Sequence, residues 1–260
     1  MDDAKLPLTD HLSELRTRIF RILIAWAIGA AVAWNFSEQV FGLLLAPAVE
    51  ALADGTRGLQ AIAPTEIFFT YLKSALLAGF VFALPVIFWQ IWRFVAPGLY
   101  PSERHAIIPF VSVSTALFIS GAVFGYQVVF PLMFDFFTQF NSDFVESAWT
   151  MREVFTLTTR LFLAFGIAFE LPVLVFFLSI AGIVDAPTLF RGTPYAVLAV
   201  FVTAAILTPP DWVSQIFLGI PMVLLYLLGV GVAYVFGGSK ARGKAEKVER
   251  SEVERDSASP

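Results

Sequence analysis

Long apolar stretches separated by short polar ones run along most of the chain. Six of them are long or apolar enough to be membrane spans, because a helix of about 20 apolar residues crosses a ~30 Å hydrocarbon core. The predicted spans are, approximately, residues 19–36, 66–94, 106–134, 161–182 (entered from Thr150), 194–207 and 212–236. The fifth has only about 14 residues, or about 21 Å of helix, so we expect a short hairpin of fifth and sixth spans that thins the bilayer locally. The pattern predicts an all-α integral membrane protein.

The two ends of the chain are polar. Leu8, Leu12, Leu15 and Ile19 recur at spacings of four, three and four, which is one face of a helix. Residues 1–18 are therefore predicted to form an amphipathic segment on the membrane surface that turns into the first span. Residues 237–260 are charged and lack apolar periodicity, which predicts a disordered tail. The membrane domain is predicted to comprise residues 19–236.

Composition and charge agree with a membrane location and indicate an orientation. The chain is 58% hydrophobic and 15% charged, whereas soluble domains are about 25% charged. Most Lys and Arg residues fall on the side shared by both termini, and the opposite loops hold only Arg57 and Arg152. The positive-inside rule then predicts both termini in the cytoplasm.

The residue inventory argues against an enzyme. There is no cysteine, and the two histidines, His11 and His105, both fall in predicted cytoplasmic segments. The spans contain no HExxH motif and no aspartate pair on facing helices, so neither a zinc hydrolase nor an aspartyl protease is indicated. We expect no enzymatic activity, no metal, no cofactor and no nucleic-acid partner.

One acidic residue falls near the middle of a predicted span. Glu170, two residues before Pro172, lies roughly 15 Å along the helix from Arg160. A carboxylate at this depth costs about 2.5–3.5 kcal/mol even on the mildest insertion scale. It is therefore either part of a proton relay or polar path, or a protonated acid satisfied by a neighbour. The first reading gives an alternative function, a proton-coupled small-solute transporter using Glu170.

Two further carboxylates stand among basic residues on the predicted cytoplasmic side. Glu14 has Arg18 four residues on, an ordinary helix pair worth about 0.2–0.5 kcal/mol. Glu103 precedes Arg104 and reads as a solvated loop charge. Carboxylates near an interface can also bind guanidinium groups in bidentate fashion. Spacing alone does not choose between these interpretations.

Several motifs in order resemble the TatC family, the core receptor subunit of the twin-arginine protein translocase. The resemblance covers residues 8–236 and is carried by HLSELRTR (11–18), FFTYLKSALLAG (68–79), IWRFVAPGLYPSER (91–104), VVFPL (128–132), FGIAFELPV (165–173) and ILTPPDWVSQ (206–215). It implies six spans in a concave, cup-like bundle in the bacterial cytoplasmic (inner) membrane, with both termini in the cytoplasm. It also implies binding of paired-arginine signal peptides and proton-motive-force-driven export of folded proteins.

The resemblance also implies roles for particular residues. The carboxylates that receive the arginine pair match Glu14 and Glu103, and we include Arg16 and Phe94 in the same site. The implied partners are signal peptides, TatA, TatB and membrane lipids, in a multi-copy receptor complex. The remaining matched positions are Thr208 and Gln215, where a partner helix is expected to dock, Pro47 and Asp211, and Glu170, which is expected to face the concavity.

Overall fold

The structure, a computed structural model, describes residues 8–51, 59–95, 107–139, 149–208 and 211–257. These residues are helical and contain no strand beyond a single bridge between Gln60 and Thr150, which confirms the predicted all-α class for this part of the chain. The chain divides into two compact units, Met1–Gly166 and Ile167–Pro260. The helices are α1 (Leu8–Trp34), α2 (Ser37–Ala51), α3 (Pro64–Val95), α4 (Ile107–Phe124), α5 (Phe130–Thr138), α6 (Met151–Ala168), α7 (Leu171–Ile180), α8 (Ala186–Arg191), α9 (Thr193–Leu207) and α10 (Trp212–Ser257).

Among the described residues, five helical segments are long and apolar enough to cross a membrane: Leu12–Trp34, Pro64–Val95, Ile108–Thr138, Met151–Ser179 and Trp212–Val235. The shorter apolar helix α9 has 15 residues, about 22 Å, which agrees with the predicted short fifth span. The last segment has 24 apolar-rich residues, about 36 Å. It is long enough to cross alone, so the expectation of a short sixth span is wrong.

The first helix is unbroken. α1 runs for 27 residues from Leu8 to Trp34, and no proline interrupts it. The turn predicted between a surface segment and the first span is therefore absent. The apolar face used for that prediction does not pack on protein, since Leu12 is 61% exposed and Ile19 is 46% exposed. In a membrane protein such a face is suited to lipid rather than to a protein core.

The centre of the first unit is α3, which packs against α1, α2 and α4. α1 and α3 approach closely at Gly29 and Gly79, where a Cβ on Gly79 would lie 2.3 Å from the backbone nitrogen of Ala30. Trp26 adds a hydrogen bond from its indole nitrogen to the carbonyl of Leu76, at 2.8 Å. Small residues allow two membrane helices to touch along their backbones, which replaces the missing hydrophobic drive with close packing.

The third span contains a wide turn that the sequence did not predict. Between α4 and α5, residues Gly125–Val129 form a π-helical turn in which the amide of Phe130 donates to the carbonyl of Gly125. Pro131 follows at once and has no amide hydrogen for an ordinary helical bond. Single π turns inside α-helices often mark functional sites, and this one carries Tyr126.

The fourth span is also interrupted. α6 ends at Ala168 and α7 begins at Leu171, with Glu170 as the residue that caps α7. Pro172 lacks the amide that would bond to the carbonyl of Ala168, so the helix breaks just before it. The prediction of one continuous helix through Glu170 is therefore wrong at its centre.

In the second unit α10 packs against α7, α8 and α9. The short helix α8 was not predicted, and it is capped by Asp185, whose carboxylate accepts a hydrogen bond from the amide of Thr188 at 3.1 Å. The hydrogen bonds of Thr188 lower the pKa of this exposed carboxyl below its ordinary value.

The backbone of α10 is helical to Ser257, which differs from the disordered tail predicted for residues 237–260. Alanine, glutamate, lysine and arginine are frequent there, and all four favour helix.

Candidate functional site

Glu14 is held by an arginine one helical turn further along α1. The Nε atom of Arg18 donates to Glu14 Oε1 at 3.1 Å, and its Nη2 atom contacts the same oxygen. The Arg18 side chain is only 9% exposed, whereas that of Glu14 is 40% exposed. The pair therefore presents its carboxylate to solvent and keeps its guanidinium inside the protein.

The Arg18 guanidinium also contacts the C-terminal end of α3. Its Nη1 atom donates to Gln90 Oε1 at 3.4 Å, and Nη2 lies 3.5 Å from the carbonyl oxygen of Arg93. The ring of Phe94 lies 5.9 Å from its central carbon, within the range of a cation–π contact. α3 thus supplies an amide oxygen, a carbonyl oxygen and an aromatic face to one guanidinium of α1.

The structure brings together two of the residues expected in the arginine-binding site. Glu14 and Phe94 both contact Arg18, which the sequence indicated only as a helix partner of Glu14. Arg16, the third predicted member, is exposed and instead lies over the ring of Phe20, 5.9 Å from its centre. Glu103 falls within residues 96–106, outside the described residues, so its place remains a prediction.

Tyr126 donates to the backbone carbonyl that Pro47 leaves without its helical donor. Pro47 lies inside α2 and has no amide hydrogen, so it cannot donate to the carbonyl of Leu43 four residues earlier. The hydroxyl of Tyr126, in the π-helical turn, donates to that carbonyl at 2.5 Å. Neither α2 nor this contact was predicted from the sequence. The only sequence signal for it is a proline within a short apolar stretch.

Glu66 joins the beginnings of two helices. Its Oε2 atom accepts a hydrogen bond from the amide of Ile62 at 2.9 Å, just before α3, and its Oε1 atom accepts one from the amide of Arg152 at 3.0 Å, in the first turn of α6. Two backbone bonds between Gln60 and residues 149 and 151 reinforce the junction. A carboxylate at a helix start also complements the helix dipole. The sequence marked Glu66 only as the beginning of a span.

The turn between α9 and α10 gathers the predicted docking residues Thr208 and Gln215 with Asp211. Asp211 caps α10 by accepting from the amide of Ser214 at 2.6 Å. Gln215 donates its side-chain amide to the carbonyl of Phe201 at 2.9 Å. Thr208 is buried, and its hydroxyl donates to the carbonyl of Ala204. The structure therefore gives Asp211 and Thr208 roles within the hairpin itself, and leaves Gln215 half-buried at its surface.

Glu170 lies at the break between α6 and α7. Glu170 is half-buried as a residue, and its Oε1 atom is not accessible to solvent. The amide of Leu174 donates to its backbone carbonyl at 2.9 Å. An acid at an interrupted helix has irregular backbone beside it, which membrane proteins tolerate where it lies against protein or lines a cavity.

Five helical segments in the described part of the chain are long and apolar enough to cross a membrane, which is typical of a multi-pass membrane protein. The family model described as Sec-independent protein translocase protein (TatC) matches residues 10–221. The chain belongs to this family, and it is therefore a component of a protein translocase of the Tat type.

Individual relatives are similar over nearly the whole chain. A protein named Sec-independent protein translocase protein TatC from Desulforapulum autotrophicum is 40% identical, covering 98% of this chain and 94% of the relative. The protein of the same name from Magnetococcus marinus is 41% identical over 97% of this chain and 91% of its own length. A crystal structure of a twin-arginine translocase receptor TatC superposes with a TM-score of 0.78 at 35% identity, covering 86% of this chain and 97% of that one.

Proposed function

We propose that this chain is the receptor of its Tat translocase and binds the paired arginines of signal peptides on folded precursor proteins. The observation that carries the proposal is the half-exposed carboxylate of Glu14, held by Arg18 where α1 meets the end of α3. The same arginine contacts Phe94. A carboxylate takes a guanidinium in a planar, bidentate geometry, which a lysine ammonium cannot match. Glu103 is the second carboxylate of the proposed site, one for each arginine of the pair.

The proposed receptor has six spans in a concave, cup-like bundle, with α9 as the short fifth span, and both termini in the cytoplasm. The segregation of Lys and Arg along the sequence supports this orientation. Under it, Glu14 and Phe94 lie at the cytoplasmic surface of a bacterial inner membrane, where a signal peptide first arrives. The Glu66 junction then lies on the opposite side of the membrane, between the starts of α3 and α6.

TatA and TatB are the proposed protein partners, and the receptor acts in several copies. The half-buried side chain of Gln215 at the α9–α10 turn supports docking of a partner helix there, because an amide in an apolar setting gains from a hydrogen bond across helices. Export is proposed to draw on the proton-motive force. Glu170 is then a polar point along the path of an inserting peptide or partner helix.

The experiment measures binding of a twin-arginine signal peptide to the purified protein in lipid nanodiscs. Glu14→Gln and Glu103→Gln each remove one charge-assisted contact, worth about 1.5–3 kcal/mol. We expect each variant to weaken binding by about 10- to 100-fold, and the double variant more. Glu38→Gln, an exposed carboxylate in the first turn of α2, is the matched control and should bind normally. Unchanged affinity in the double variant would contradict the proposal.

A further inference from the structure

Arg18 sits in a site that is already complete for a guanidinium group. The carboxylate of Glu14, the amide oxygen of Gln90 and the carbonyl of Arg93 surround its nitrogens, and the ring of Phe94 lies beside it. The residue as a whole is 8% exposed. A charge buried to this degree is retained only when it is paired and hydrogen-bonded.

Arg18 is tied to α3 and, from that fixed place, holds the carboxylate of Glu14. Both Nε and Nη2 of the guanidinium converge on one oxygen of Glu14, Oε1. The guanidinium is itself tied to α3 through Gln90 and the carbonyl of Arg93. A glutamate on an exposed helix face samples several rotamers, and holding it in one removes that entropy loss from a later binding step.

The difference in exposure between Glu14 and Arg18 indicates which of the two side chains a ligand reaches first. The Glu14 side chain is 40% exposed, and Arg18 lies behind it at 9%. A guanidinium arriving from water therefore reaches the exposed part of the Glu14 side chain before the more buried Arg18. Water screens the repulsion between two such cations most strongly at the exposed part.

We propose that Arg18 is a positioning residue that holds the Glu14 carboxylate ready for an arginine of the signal peptide; this rests on the proposed receptor function. Arg18 stays in place when the peptide binds and does not touch it. The opposite arrangement, in which Arg18 is an internal competitor that the peptide displaces, requires the more buried group to move out first. The two arrangements predict opposite effects of removing Arg18.

The test is a double-mutant cycle for the affinity of a twin-arginine peptide in nanodiscs. Arg18→Gln should weaken binding roughly tenfold in the native background, the equivalent of one charge-assisted bond. In a Glu14→Gln background it should weaken binding less than about twofold, because its effect passes through Glu14. Arg18→Lys keeps the positive charge but lacks the planar guanidinium, so its peptide affinity should lie between those of the native protein and Arg18→Gln. Arg21→Gln, an exposed arginine on the same helix, is the control.

Each other outcome is informative. Tighter binding by Arg18→Gln would show displacement and overturn the proposal. Equal weakening in both backgrounds would show that Arg18 only holds α1 to α3, and would overturn it as well. If Arg18→Gln does not fold, Gln90→Leu leaves the ion pair but removes one tie to α3, and unchanged binding there would count against positioning. If Glu14→Gln binds like the native protein, the receptor proposal fails at Glu14, whatever Arg18 does.

Discussion

The hydroxyl of Tyr126 lies 2.5 Å from the carbonyl oxygen of Leu43. That carbonyl is the one that Pro47 leaves without its usual helical donor, because proline has no amide hydrogen. A proline in one membrane helix and a tyrosine in the π-helical turn of another thus form a matched pair. Pro47 leaves the carbonyl of Leu43 free, and the hydroxyl of Tyr126 binds it.

Tyr126→Phe should destabilise the protein by about 0.5–1.5 kcal/mol, the net value of one hydrogen bond. In a Pro47→Ala background the new amide at position 47 can donate to Leu43, so losing the hydroxyl should cost clearly less. The measurement is the free energy of unfolding of the four proteins of this cycle in detergent. Equal losses in the two backgrounds would show that Tyr126 does not substitute for the missing donor.

Gly79→Ala should disrupt the contact between α1 and α3. Its new methyl group would lie 2.3 Å from the backbone nitrogen of Ala30, and backbone cannot rotate away as a side chain can. Overpacking of this kind costs about 1–3 kcal/mol. A lower unfolding temperature would report it.

Gly42→Ala is the matched control for that change. Apart from its chain neighbours and the nearby backbone of its own helix, nothing lies within 4 Å of the position a Cβ would take at Gly42 in α2. Alanine is favoured over glycine inside a helix by about 1 kcal/mol, so this variant should be as stable as the native protein or more so. Equal losses from both substitutions would mean that close packing at Gly79 is not what matters.

Glu66→Ala should loosen the junction between the starts of α3 and α6. It removes both acceptors of the amides of Ile62 and Arg152, while Glu66→Gln keeps one oxygen and so should have about half the effect. We expect faster hydrogen exchange at those two amides, with the amides of the α1–α3 crossing unchanged. Unaltered exchange of the Arg152 amide in the alanine variant would show that Glu66 does not stabilise the junction.

The helices themselves could be predicted well from the sequence, because the requirement for about 20 apolar residues leaves a strong pattern. The predicted span 66–94 became Pro64–Val95, and 194–207 became Thr193–Leu207. The interruptions at Gly125–Val129 and at Glu170 were not predicted. Each lies just before a proline, Pro131 or Pro172. Because membrane helices can also carry a proline without a break when local adjustments satisfy the backbone, the sequence alone does not locate these interruptions.

The candidate site was predictable only in part. Glu14 was identified through a family resemblance, and its structural partner Arg18 was read as a surface pair. Apolar periodicity on α1 indicated that the face of Leu12 and Ile19 is the packed one, yet both residues are exposed. The buried polar residue of this helix is Arg18, which does not belong to that apolar face. In a membrane the apolar face no longer marks the protein interior, so the usual inference from periodicity to core does not hold.

Glu170 separates two mechanisms. If it carries protons, Glu170→Gln should abolish export as fully as Glu170→Ala, because an amide cannot release a proton in the working range. We predict instead that the glutamine variant exports at near-native rates and the alanine variant more slowly, since hydrogen bonding at the break before α7 is the requirement. In vivo export of a reporter precursor measures this. Loss of export in the glutamine variant as complete as in the alanine variant would favour the proton-carrier mechanism.

Discrimination between arginine and lysine is the most direct test of the receptor account. Affinity for a twin-arginine signal peptide and for the same peptide with both arginines replaced by lysine is measured on the native protein in nanodiscs at fixed salt. The account predicts binding at least tenfold tighter for the arginine form, with this preference reduced in Glu14→Gln. Equal affinity for the two peptides would contradict it.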